Sequence, residues 1–523
     1  MLTGVRPLFV ATMKHNRSFI APWVGIVTLL SATSIMAYRW IFPDVADRQS
    51  LSMAMGTNPA LDLVFGPARN LLTNDGFNSW RAGQLGMLFA ALLGIMLVVR
   101  ATRADEDSGN AELIASGVVS RPARLVVPLL VSLVAATAVA IVCFLGTWAF
   151  GGEVEPTALL SLTFAGSVLV WAGIAAVTAQ LGADARTASS LAMGLMGIFY
   201  VMRGYFDSAD YPDWTQWLTP FGWAERVGAA VDNNWWPLLI FLAAFILLSG
   251  VAIALQQRRD FGQGFIAPRP AAPEAPKIGV FGLAWRLHRG VVITWLVAFA
   301  ALGFVFGDLA TSVGSVFAGN PAIASVMAAG ATTEDELTFA FVRMILSIAG
   351  IIAAIAGAQI ILRLHSEETA YRAEPLLAGS LRRRSLFGSH VLVAYGLTTV
   401  GLLVLGTVMG IVARNDIATW DVIRQAAATL PAVWVLNGVA VAVVGARPAV
   451  RLASWAVIVA TFGITLLGPT FNFPDWALGI SPLYHVPTVN AADPAWAPLV
   501  VLVGIAAVFI AIGFAGFRRR DVG

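Results

Sequence analysis

The sequence predicts an all-α membrane protein of about 12 transmembrane helices, built as two six-helix pseudo-repeats. Three observations carry this. Of 523 residues, 58% are hydrophobic and only 12% charged, with a mean hydropathy of +0.78. A soluble domain carries about 25% charged residues, so this chain has too few to cover a surface facing water. Apolar runs of spanning length recur along the whole chain, and polar loop residues repeat at a fixed offset of 262.

A hydrocarbon core of ~30 Å needs roughly 20 apolar residues of helix. On that measure the first six spans lie near 19–42, 83–99, 125–150, 158–181, 188–205 and 235–255. The second six lie near 290–311, 342–362, 386–413, 424–445, 452–468 and 497–516. The fifth and eleventh are short and flanked by Trp-rich loops. The basic N-terminal stretch with Arg6, Lys14, His15 and Arg17 lacks a small-residue cleavage site after the next apolar run, so that run is expected to be a retained first span.

Lys and Arg stay on the cytoplasmic side. With the N-terminus inside, 24 of the 33 basic residues and 11 of the 30 acidic ones fall on inner segments. Both termini are therefore expected in the cytoplasm, at the cell membrane. Trp40, Trp80, Trp214, Trp217, Trp235, Trp236, Trp420, Trp476 and Trp496 gather at the outer ends as an aromatic belt.

Residues 256–277 read QQRRDFGQGFIAPRPAAPEAPK, a proline-stiffened segment at mid-chain. It divides the chain into a first transmembrane half, 1–255, a linker, 256–285, and a second half, 286–523. Across it Glu106 falls on Glu368, Glu112 on Glu374, Gly117 on Gly379, Arg121 on Arg383 and Pro220 on Pro482, each at an offset of 262. Six spans per half give both copies one orientation, a parallel repeat about the membrane normal.

Several chemistries are excluded or weakly supported. The two lysines, Lys14 and Lys277, lie in ATMKHN and EAPKIG, so neither belongs to a G-x-x-x-x-G-K-[ST] phosphate loop. His15, His288, His365, His390 and His485 lack metal-ligand spacing, and a basic helix flank explains the first four; no metal site is expected. Cys143, the only cysteine, reads as a packed thiol. Proton coupling calls for acids buried within spans; Asp308 lies near a span end and Glu225 in an outer loop. No nucleic-acid partner is expected, and no cofactor in this chain.

The first inner loop, RATRADEDSGNAELIASGVVSRPAR, carries an acidic cluster, then Glu-Leu, a Gly and a Ser-Arg pair: Glu106, Asp107, Glu112, Leu113, Gly117, Ser120 and Arg121. It resembles the loop between the second and third spans of ABC-2-type exporter permeases. Over its whole length the chain is similar to the fused twelve-span actinobacterial form, which includes tetronasin-type antibiotic exporters and mycobacterial multidrug efflux permeases. In the second copy Pro375 replaces the Leu, and Arg382, Arg383 and Arg384 replace the Ser-Arg signature.

The resemblance implies a type V (ABC-2-like) exporter architecture. It implies a membrane subunit moving hydrophobic or amphipathic compounds, driven by two copies of a separate cytoplasmic ABC ATP-binding protein that carry ATP and Mg. Coupling to that partner would fall to Asp105, Glu106, Asp107, Glu112, Leu113 and Arg121, and to Glu367, Glu368, Glu374 and Arg383. An outer gate of short re-entrant helices would include Trp217, Pro220, Phe221, Pro482 and Tyr484. A substrate path between the halves would use Met193, Met196, Phe199 and Tyr200 on the fifth span, with Trp455 and Phe462 on the eleventh. The competing expectation is a proton-coupled secondary multidrug transporter.

Overall fold

The computed structural model describes residues 3–55, 62, 65–109, 119–208, 211–260, 262–266, 279–311, 334–379, 381–467, 473–491 and 493–520. Every regular element among them is helical. The chain divides into two compact units, Met1–Ala272 and Pro273–Gly523.

The first unit contains α1 (Val5–Ile41), α2 (Val45–Met55), α3 (Asn74–Val99), α4 (Ala123–Ala149), α5 (Val154–Leu181), α6 (Ala185–Ser208), α7 (Pro220–Val227) and α8 (Leu238–Arg258). The helix α5 is its centre: Phe164, Val168, Trp171 and Ala175 are fully buried, with α3, α4 and α8 packed around it. Small residues let these backbones approach. A Cβ on Gly94 of α3 would lie 2.4 Å from the Val168 carbonyl oxygen of α5, so no larger residue fits there. Thr73 caps α3 by accepting the Gly76 N–H at 3.0 Å.

The second unit contains α9 (Val280–Thr311), α10 (Glu334–Thr369), α11 (Glu374–Ala378), α12 (Arg383–Val412), α13 (Thr419–Ala446), α14 (Leu452–Leu467), α15 (Asp475–Leu478) and α16 (Ala497–Arg519). Here α13 takes the central place, packed by α10, α12 and α16. A Cβ on Gly513 of α16 would meet the Val441 carbonyl oxygen of α13 at 2.5 Å.

Among the described residues, ten helices are long and apolar enough to cross a bilayer. The other two expected spans, the fifth and eleventh, coincide with α6 and α14 but are not among the ten. The helix α6 carries Arg203 and Asp207 into the protein interior, which lowers its apolar character. As described, α14 is 16 residues long. Several helices outrun the spans expected from hydropathy, because polar residues extend them: α1 starts at Val5 and includes Lys14 and Arg17. At mid-chain α8 runs on to Arg258, and α9 begins at Val280, inside the stretch expected as linker. The outer faces of α8 and α16 are apolar and open, with Leu239 67% and Val500 73% exposed. Such faces are unstable against water and natural against acyl chains. The chain is a multi-pass membrane protein.

Candidate functional site

The helix α3 does not end as an ordinary α-helix. Residues Arg100–Ala104 form a π-helical stretch, and one further turn covers Asp105–Asp107. The wider turn brings Arg103 into the interior, where it is 1% exposed. Its guanidinium donates to Glu106 at 2.9 Å and to the Gln263 carbonyl at 2.9 Å, and its Nε to the Ala179 carbonyl. Glu106 is held from the other side by Arg259, just past α8, through contacts of 2.7 and 3.2 Å to its two oxygens. Two parallel bonds of this kind fix geometry as well as charge. Arg259 also donates to Gln180 at 2.6 Å, and its backbone carbonyl accepts from Arg121.

The second unit repeats the arrangement. Glu368, 5% exposed, accepts from one Arg520 nitrogen at 2.7 Å to each oxygen. The Arg520 carbonyl accepts from Arg383 at 2.8 Å, and Nε of Arg520 donates to the Gly445 carbonyl at 3.1 Å. His365 stands 3.4 Å from Glu368, in the place that Arg103 occupies beside Glu106. In each half, a carboxylate at the end of the second long helix is thus clamped by an arginine at the end of the last. The two differ beside the carboxylate, Arg103 against His365, and in what the arginine Nε meets, the Gln180 side chain against the Gly445 carbonyl.

The other candidate coupling residues divide between buried and open positions. Asp107 accepts the Ala185 N–H at 2.8 Å, which places its charge on the N-terminus of α6. Asp105 lines a cleft with His15, Arg124 and Arg259. Glu367 pairs with Arg372 at 3.3 Å and Arg363 at 3.5 Å. Glu374 opens the five-residue helix α11, exposed and with no ion pair among the described residues. Leu376 of α11 faces out while Leu377 packs on the core. Glu112 and Leu113 lie outside the described residues.

Short helices occur in both of the segments expected on the outer side. In the first unit α7 has Thr219 as N-cap, Pro220 in its first turn, and Gly228 at its C-cap with φ 56°. Phe221 is fully buried against Trp171 and Tyr200, and Trp217 stacks on Trp236 with centroids 5.0 Å apart. Behind α7 lies a buried charge cluster. Arg203 pairs with Asp207 at 3.1 Å and Glu225 at 3.5 Å, and donates to the Asp62 carbonyl at 3.1 Å. Gln84 donates to Glu225 at 3.1 Å. Burial, opposed by Arg203 and reinforced by Asp207, pushes the Glu225 carboxyl up to about 8; burial likewise pushes Asp62 up to about 6. Gly66 closes the cluster with φ 83°, where a Cβ would lie 3.0 Å from Glu225 Oε1.

In the second unit a 3-10 turn, Pro482–His485, follows α15. Tyr484 is half exposed, and His485 contacts the Gly479 carbonyl at 2.8 Å. Gln425 of α13 binds the Pro487 carbonyl at 2.9 Å and the Val489 N–H at 3.0 Å. The positions 262 beyond Arg203 and Glu225 are Thr465 and Pro487, so the pair that forms the charge cluster is not repeated at those positions.

Of the candidate substrate-path residues, Met196 is buried in the first core, with Met193, Phe199 and Tyr200 packed against it. The open face of α6 carries Leu191, Ile198, Val201 and Tyr205 instead. Trp455 packs on the second core and Phe462 is exposed.

Sequence reasoning missed the clamping arginines and one further pair. His288 and His390 meet in the interior at 2.9 Å, joining α9 to α12. For Arg259 and Arg520 a signal existed. R-R-D-F-G at 258–262 and R-R-D-V-G at 519–523 are near-identical and stand 261 residues apart.

Comparison with known proteins gives two matches. The family model described as "Multidrug efflux system permease Rv1217c, C-terminal domain" matches residues 30–255 and 278–518. The chain is also 33% identical over 531 residues to the multidrug efflux system permease protein Rv1217c of Mycobacterium tuberculosis (strain ATCC 25618 / H37Rv). That match covers 99% of this chain and 95% of the relative.

Proposed function

This chain belongs to the Rv1217c family of multidrug efflux permeases, and on that premise we propose that it is the membrane subunit of an ATP-driven exporter of hydrophobic or amphipathic compounds. In this reading two copies of a separate cytoplasmic ATP-binding protein supply the energy, with ATP and Mg bound there. Both termini and both clamped helix ends then lie on the cytoplasmic side, as the distribution of arginines favours. The chain cannot supply the energy through a phosphate loop of its own, because neither lysine stands in one.

The observation that carries the reading is the repeated clamp. Force applied to a loop by a partner reaches the membrane helices only if the loop is rigidly joined to them. Glu106 with Arg259, and Glu368 with Arg520, make that join in each half. Beside the second clamp Glu374 and Leu376 of α11 stay exposed, an acidic and apolar pair suited to a partner's groove. In this division of labour Glu106 and Glu368 position the loop, and Glu374 touches the partner. For substrate we assign the open residues Ile198, Val201 and Phe462 ahead of the buried methionines. The test is co-expression with the candidate ATP-binding protein. A stable complex with drug-stimulated ATP hydrolysis is expected; a chain that purifies alone and exports without ATP refutes the reading.

A second reading, proton-coupled export, is favoured by one observation. Asp207 and Glu225 both pair with Arg203 in a buried site, where burial pushes the Glu225 carboxyl up to about 8, so it holds a proton near neutrality. Efflux that stops when the proton gradient is collapsed at constant ATP supports this reading against the first.

A further inference from the structure

The triple arginine at 382–384 is left only partly used by the clamps. Arg383 serves the second clamp; Arg384 does not. Arg384 instead faces Arg518 and Arg519 at the end of α16, across a cleft of about 340 Å³. The floor of the cleft is apolar: Ala511, Phe514 and Ala515. Phe514 is held edge-on by Phe387 at 5.0 Å, and Phe387 stacks on Phe517 at 4.6 Å, so the floor is rigid. Arg384, Arg518 and Arg519 are all exposed and have no carboxylate partner among the described residues. No acidic residue lines the cleft.

A positive side preference alone does not produce this. The first half has Pro122, Gln257 and Arg258 at the matching positions, one arginine where the second half has three. Below the cleft the open face of α16 continues as Val508, Ile512, Ile505 and Val501, all exposed and apolar. Three cations therefore stand at the head of an apolar track along a membrane helix. That order of chemistry is the order within a phospholipid: a phosphate, then acyl chains.

We propose that this cleft of the second half is a binding site for an anionic phospholipid. The headgroup phosphate lies among Arg384, Arg518 and Arg519, and an acyl chain lies along Phe514, Ile512 and Val508. Guanidinium groups suit the site because each offers a planar pair of donors to phosphate oxygens. The site requires only that the chain spans a membrane, so it stands or falls separately from the ATP-driven reading.

The full chain, purified in detergent without any ATPase, is titrated with phosphatidylglycerol and with phosphatidylcholine, and bound lipid is counted by native mass spectrometry. Retention of phosphatidylglycerol over phosphatidylcholine is expected. Each basic residue near an anionic headgroup contributes roughly fivefold, so Arg384→Gln/Arg518→Gln/Arg519→Gln should weaken binding on the order of a hundredfold. The corresponding triple lysine variant should keep most of the affinity, which separates lost charge from lost folding. Arg258→Gln, in the first half, should leave binding unchanged. Equal retention of both lipids, or wild-type retention by the triple glutamine variant, overturns the proposal. So does displacement of phosphatidylglycerol by millimolar inorganic phosphate, which would make this a site for the free anion. A glutamine variant that keeps its lipid but loses a co-expressed ATPase would assign the arginines to a protein partner and also overturn it.

Discussion

Replacing Glu106 by Gln should release the end of the α3 segment from α8 while leaving the helices in place. The wild-type carboxylate receives Arg103 at 2.9 Å and Arg259 at 2.7 and 3.2 Å, with Arg103 1% and Arg259 7% exposed. Glutamine keeps the shape and one acceptor but removes the charge. Two buried guanidinium groups then lose the carboxylate they bond directly. Removing one partner from such a buried pair costs about 3–5 kcal/mol. At about 1.4 kcal/mol per tenfold, that is roughly two to three and a half orders of magnitude in the opening equilibrium of residues 100–109. Hydrogen exchange of those amides on the full chain measures the opening directly. A global unfolding energy would not serve, because a chain of two units is not expected to melt in one step. Glu368→Gln should have a smaller effect, since Arg520 is 17% exposed and water can replace part of the lost bond. Glu374→Gln, at an exposed residue, is the control. If Glu106→Gln exchanges within about threefold of the wild type, or no faster than the Glu374 control, the clamp does not hold the loop and the positioning argument fails.

Three further outcomes follow from the same geometry. Glu225 rises in the folded chain from an ordinary 4.5 to about 8, so the folded state holds a proton that the unfolded state has lost. Its contribution therefore makes stability fall as pH rises between 4.5 and about 8, by at most ~1.4 kcal/mol per pH unit; Glu225→Gln should flatten thermal inactivation measured across that window. His365→Arg should recreate the first-half arrangement beside Glu368 and slow exchange of residues 365–372. Gly66→Ala should destabilise the first unit by about 1–2 kcal/mol from the left-handed backbone alone, and more if Glu225 cannot shift; thermal inactivation reads both.

The helices were legible because burial in a bilayer requires long apolar runs and little else. That rule also marks where legibility stops. The helix α6 is amphipathic enough to hide Arg203, and α1 is extended by residues that hydropathy counts against it. At the candidate site, Glu106, Glu368, Arg121 and Arg383 were readable from the repeat, and the recurring R-R-D-x-G marked Arg259 and Arg520, but nothing joined the arginines to the carboxylates. Glu106 and Arg259 are 153 residues apart, and no local pattern joins a loop carboxylate to an arginine beyond the last span. The sequence also places Glu225 in an outer loop, where a carboxylate is normally solvated. Only the fold shows that α7 turns it inward against Gln84 and Arg203. The methionine and aromatic spacing on α6 was visible, but spacing does not say whether a face meets a core or an opening.

The pattern of what repeats separates shared from specialised work. A duplicated chain free to drift would lose paired features at similar rates in both copies. Here the clamp persists in both, down to the carbonyl of its arginine accepting from Arg121 or Arg383. Among the described residues, the buried carboxyl cluster around Arg203 lies in the first half and the three-arginine cleft in the second. A requirement that both halves receive the same input accounts for the first observation. It leaves the other ends free to diverge, the first half carrying the buried carboxyl cluster and the second the arginine cleft. If that division holds, exchanging Arg103 and His365 should perturb the coupling of the two halves without touching either specialised site. A swap that abolished lipid retention, or shifted the pH dependence assigned to Glu225, would show that the three features are not independent.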